Sequence, residues 1–88
     1  MNISVEIKDG KQQLERIRTE GGEVEIYLDD EGLDFLLSQL SFLKDRRTDH
    51  VRLMTSDWGG GELSDQVRKP ESVLVHHLRV LLINRSVA

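Results

Sequence analysis

His50, His76 and His77 are the side chains in this sequence best suited to holding a metal or moving a proton. Zinc commonly takes three or four His, Cys or carboxylate ligands around one point, and the chain has no cysteine. A site would therefore need every histidine, or a carboxylate in place of one. His76 and His77 are neighbours, and on a strand neighbouring side chains point to opposite faces, which keeps them from sharing an ion. The plainer reading packs one ring against a helix and leaves the other in water. No metal and no cofactor is expected.

Nucleophilic catalysis needs a nucleophile, a base and an orienting acid within hydrogen-bond reach. Ser64, His76 and several carboxylates supply the residue types, but Ser64 lacks the glycine-flanked strand-to-helix turn of a nucleophile elbow. Asp29 and Asp30 form a carboxylate pair that serves equally well as a helix cap. Gly59-Gly60-Gly61 could be read as a phosphate loop, yet no Lys-Ser/Thr follows, and Glu62 would repel a phosphate. No catalytic residue is expected, and the chain does not read as an enzyme.

The segment Asp57-Trp58-Gly59-Gly60-Gly61-Glu62-Leu63 stands apart. Consecutive glycines cost conformational entropy on ordering, and suit backbone that needs positive φ or close approach. A tryptophan beside them either plugs the open end of the core or stands exposed as a recognition residue. The plug is the expectation, because the sole tryptophan of a small core usually packs.

The elements that must position these residues follow from periodicity. Ile3, Val5 and Ile7 alternate with Ser4, Glu6 and Lys8, a strand with one buried face. Asp9-Gly10 is a hairpin signal. Residues 12–19 read as an edge-like second strand, although Leu14 and Ile17 lie three apart among charges. Gly21-Gly22 breaks the chain, and Val24, Ile26 and Leu28 alternate in a third strand. Helix 31–46 follows, with Asp29 and Asp30 at its cap and cations at its end. Its inward face is expected to carry Leu33, Leu36, Leu37, Leu40 and Leu43, flanked by Phe35 and Phe42. Val51 and Leu53 mark a fourth strand, and a loop runs from Thr55 to Pro70. Residues 72–83 are rich in β-branched side chains and apolar on both faces, which predicts a central strand. Their spacing also fits a helix with Leu74, Leu78, Leu81 and Leu82 inward. The expected architecture is a small α+β domain, mostly antiparallel sheet in the order βββαββ, with one amphipathic helix packed on one face.

Eighty-eight residues suffice for one domain, here 1–88. The absence of cysteine fits a reducing compartment, and the N-terminus carries no basic patch followed by an apolar stretch. A cytoplasmic protein with no membrane segment is the expectation. A net charge of −4 argues against non-specific nucleic-acid binding. The charge is uneven: Glu20, Glu23, Glu25, Asp29, Asp30, Glu31 and Asp34 run without an intervening basic residue. Such a run can steer a basic partner, or it can be helix capping and a solvated strand face. Exposed apolar residues on an edge strand would also permit pairing between copies, but periodicity alone leaves the edge unidentified and the oligomeric state open.

Several segments together resemble the immunity protein 32 family, a bacterial group inferred to protect cells from polymorphic toxins. They are Glu25-Ile26-Tyr27-Leu28-Asp29-Asp30-Glu31-Gly32-Leu33, the leucine-rich helix, His50-Val51-Arg52-Leu53-Met54-Thr55, Trp58-Gly59-Gly60-Gly61-Glu62-Leu63-Ser64 and His77-Leu78-Arg79-Val80. The resemblance covers about residues 23–83, and Trp-Gly-Gly-Gly-Glu-Leu is its most specific part. It implies a binding protein that blocks a cognate toxin by occlusion, with no catalytic residue to carry over. Glu23, Glu25, Trp58 and Glu62 are the candidate partner-binding residues. The alternative is a small structural or regulatory interaction module with no toxin partner. A toxin gene beside this one would separate the two.

Overall fold

Strand β1 (Ile3–Ile7) runs through the middle of the sheet and sets the architecture of residues 1–83, which a computed structural model describes. On one side it pairs antiparallel with β2 (Val24–Leu28), with Val5 opposite Ile26. On the other it pairs with the short β4 (Val73–Leu74), with Ile7 opposite Val73. A second antiparallel pair joins β3 (His50–Met54) to β5 (His77–Leu81), with Leu53 opposite Leu78. The closing segment links the two. Val75 N–H donates to Val5 O at 2.8 Å, and the next residue, His76, accepts from Thr55 N–H at 2.9 Å. One stretch of chain thus passes from β1 to β3, leaving β2 and β3 as the outer strands. Residues 72–83 are extended, as their β-branched content predicts, but the strand is interrupted at Val75–His76.

The core collects where these strands meet the long helix α2 (Asp30–Lys44). Ile3, Val5, Leu53 and Leu63 are buried together, with Leu28, Phe35, Val75 and Leu78 packed against them. Asp29 caps α2 by accepting from Gly32 N–H at 2.7 Å, which satisfies one of the free donors of the first turn. Gly32 is buried because the helix crosses β1 there, and a Cβ would overlap the Asn2 carbonyl oxygen. Part of the face expected from leucine spacing is kept, with Leu43 buried and Leu36 and Leu40 half-buried. Phe35, expected at the flank, packs against the core, while Leu33 and Leu37 stand exposed.

Two further expectations are corrected. Residues 14–20 form helix α1 rather than an edge strand. The three-residue spacing of Leu14 and Ile17 belongs to a helix, and Arg16–Glu20 and Glu15–Arg18 pair along it at 2.8 and 3.2 Å. A helix this short is marginal alone, and its anchor is Ile17, half-buried against Gly22. The second correction concerns β1, which is covered on both faces. Ser4 and Glu6 are fully buried beneath the chain that follows Leu63. The Glu6 carboxylate accepts from Arg68 N–H at 2.7 Å, from Lys69 N–H at 3.4 Å and from Ser4 Oγ at 2.5 Å. A buried carboxylate is tolerated when donors surround it in this way. The α+β class, antiparallel pairing and long helix packed on one face match the sequence expectation. Among the described residues, no helix is long and apolar enough to cross a membrane.

Candidate functional site: the Trp58 turn

Thr55 is buried at the end of β3, and the chain folds back on it at once. A single 3-10 turn, η1 (Ser56–Trp58), is closed by Trp58 N–H and Gly60 N–H, which both donate to Thr55 O at 3.0 Å. Gly59 takes φ +90°, a left-handed conformation that favours glycine. Gly60 lies against Met54, where a Cβ would come within 2.6 Å of the Met54 carbonyl oxygen. Glu62 Oε1 accepts from Met54 N–H at 3.1 Å, and Leu63 N–H donates to Met54 O at 3.2 Å. Asp65 closes the far side by accepting from Ser56 Oγ at 2.6 Å. The glycines and Glu62 therefore fold this loop onto the outer edge of β3.

Leu63 is the residue that enters the core, and Trp58 stays outside with 58% of its surface exposed. The expectation of a tryptophan plug fails because the turn is only three residues long and Leu63 already fills the interior. Trp58 instead rests on the two histidines. Its ring stacks on His76 at 6.4 Å between centroids, with planes 12° apart, and lies 5.9 Å from His77 at 47°. His76 is held from behind, with Nδ1 2.7 Å from Thr55 Oγ1. Alternation was expected to send the two histidines to opposite faces, but both rings reach Trp58. The interruption between β4 and β5 removes the strict alternation. The resulting surface is a supported aromatic plate with a free side.

The other expected site residues divide between two places. Glu62 sits beside Trp58, but its carboxylate is engaged by the main chain of β3. Glu23 and Glu25 lie on β2, at the opposite edge of the sheet. Glu25 is half-buried and pairs with Lys69 Nζ at 3.1 Å, while the Tyr27 hydroxyl donates to it at 3.1 Å. Lys69 chiefly, helped by Tyr27, holds the Glu25 carboxyl below the usual carboxylate range. The Tyr27 hydroxyl and then Glu25 hold the Lys69 ammonium above its ordinary value. Glu23 is exposed, with Lys8 Nζ 3.8 Å away. Much of the acidic run thus has partners inside the chain. His50 stands apart, 2.8 Å from Asp49 Oδ1, and its bond is the main reason the Asp49 carboxyl is held low. Ser64 Oγ donates to Gln66 O and not to a histidine. Among the described residues, no three His, Cys, Asp or Glu side chains are grouped to hold a metal ion.

Sequence reasoning missed Glu6 as a buried anchor and the Thr55–His76 bond behind the plate. Neither leaves a local signal, since both join residues far apart in the chain. No family model, no curated protein and no solved structure matches this chain.

Proposed function

We propose that this chain is a protein-binding domain whose docking residue is Trp58, and that it acts as an immunity protein neutralising a cognate bacterial toxin by occlusion. The observation that carries the binding reading is the exposed indole, stacked on His76 at the end of the short turn that follows β3. A large aromatic side chain already ordered before binding loses little entropy on association, and tryptophan is among the residues most often dominating interface energy. Asp57 flanks it, so the plate suits a partner segment that brings a lysine or arginine over the indole face. The toxin reading rests on the sequence resemblance over about residues 23–83, which no family model matches.

The test is growth protection. Cells expressing the cognate toxin should survive with the wild-type chain and die with Trp58→Ala, although both proteins melt alike. Protection that persists in Trp58→Ala removes Trp58 from the docking surface. A wild type that never protects removes the toxin reading.

A further inference from the structure

We propose that β2 is a self-pairing edge, through which two copies of this chain join into one continuous antiparallel sheet. The β1–β2 register puts Glu23, Glu25, Tyr27 and Asp29 in the hydrogen-bonded positions facing β1, as Lys8 N–H to Glu23 O at 2.9 Å and Asp29 N–H to Asn2 O at 3.1 Å show. The N–H and C=O groups of Val24, Ile26 and Leu28 therefore point outward, and they carry no partner among the described residues.

The contrast with the other outer strand is informative. At β3, Glu62 and Leu63 occupy the outward N–H and C=O of Met54, and Thr48 Oγ1 meets the His50 N–H. Edges are ordinarily blunted by such covers, or by Lys and Pro. Strand β2, Val-Glu-Ile-Tyr-Leu, has neither residue and no cover.

The sequence of β2 matches itself when reversed. Antiparallel pairing centred on Ile26 sets Ile26 against Ile26 and Val24 against Leu28, all at hydrogen-bonded positions that exchange both bonds. Glu25 of one copy then faces Tyr27 of the other, over whose ring the Lys69 ammonium sits 5.9 Å from the centroid. That juxtaposition is complementary in charge, whereas Glu23 meets Asp29 of the other copy as a like-charge pair at each end of the paired strands. The two-fold axis keeps the apolar faces on one side, where Val24 and Ile26 are 57% and 44% exposed. On α2, Phe42 shares a shallow cavity with Val51 and Arg52 of β3. Leu33 and Leu37 lie on the opposite flank of the helix, towards β2, and are 44% and 54% exposed. Pairing would bring the exposed Val24 and Ile26 of the two copies side by side on that face. The occupant is a second copy, and the Trp58 turn at the far edge stays free.

Sedimentation equilibrium of the full chain over a wide concentration range tests this. The wild type should show a reversible monomer–dimer equilibrium. Ile26→Lys places two ammonium groups face to face and should raise the dimer dissociation constant by at least about tenfold, with an unchanged circular dichroism spectrum. Glu23→Lys, which meets Asp29 of the other copy in place of a like charge, should lower it. A wild type monomeric throughout overturns the proposal, as does a dimer indifferent to both substitutions. A monomer that captures an extended strand of another protein, and loses it in Ile26→Lys, overturns the second copy as occupant.

Discussion

Glu6 reaches from the middle strand to the main-chain N–H of Arg68, 62 residues away, and meets it at 2.7 Å. This bond ties the long connection between Leu63 and β4 onto the polar face of β1. Removing the carboxylate strands buried donors, and an unsatisfied buried donor costs about 1–3 kcal/mol. Glu6→Ala should lower the unfolding free energy by at least about that amount in urea titrations. Amide exchange at Arg68 and Lys69 should quicken more than at Val5. Unchanged exchange there would show that the connection is held by something else.

Gly60 and Gly61 are neighbours with opposite expectations. A methyl at Gly60 meets the Met54 carbonyl, whereas nothing lies within 4 Å of the Cβ position at Gly61. Gly60→Ala should destabilise by about 1–3 kcal/mol, the usual cost of forcing a group into filled space. Gly61→Ala should stay within about 0.5 kcal/mol of wild type. Thermal melts of the two variants suffice, and equal effects would refute the placement of the turn on β3.

The helix face can be tested in the same way. Leu53 is fully buried in the core, and Leu37 is mostly exposed on α2. Leu53→Ala should cost about 2–5 kcal/mol, and Leu37→Ala less than about 0.5 kcal/mol if the chain is measured as a monomer. A large loss at Leu37 in dilute solution would restore the leucine-spaced face as the buried one.

The pattern of successes and failures along the chain has physical causes. Elements fixed by local chemistry were legible: the Asp29 cap, the body of α2, and the alternation in β1, β2 and β3. The exposure of Leu33 and Leu37 was not, because Gly32 is the residue that packs on Asn2 and Ile3 at the start of α2, a contact between separate elements. The strand expected at 12–19 gave way to α1 because Leu14 and Ile17, three apart, share a face only in a helix, and a run this short holds just those two apolar residues to read the period from. Glu6 read as a solvated residue since alternation reports only one face, and the cover on the other comes from Arg68 and Lys69. At the site, Trp58-Gly-Gly-Gly-Glu was legible as a special turn. Which of Trp58 and Leu63 enters the core was settled by the edge of β3, where Met54 binds both Glu62 and Leu63.

Acid should weaken the fold through three carboxyls held below their ordinary values. Hydrogen bonds from Lys69 act on Glu25, main-chain donors at Asn2 and Gly32 act on Asp29, and His50 acts on Asp49. A carboxyl depressed in the folded state binds its proton more readily when unfolded. Its contribution is therefore present above the unfolded value and lost as pH falls through the folded one. The melting temperature should hold level near neutrality and decline below about pH 4, where such carboxyls begin to protonate. In Asp29→Asn the decline should be shallower, because one of the linked protons is gone. An acid limb of identical slope in that variant would contradict the assignment of Asp29 as a linked group.

The most direct test of Trp58 as the docking residue is its energetic weight in the complex. Calorimetric titration of the wild type and of Trp58→Ala against the proposed cognate toxin measures it. An interface centred on a tryptophan loses about 2 kcal/mol or more on truncation, which is roughly 30-fold in dissociation constant. A loss at least that large is expected, with the melting temperature of the free protein unchanged. Equal affinity for the two proteins would contradict it.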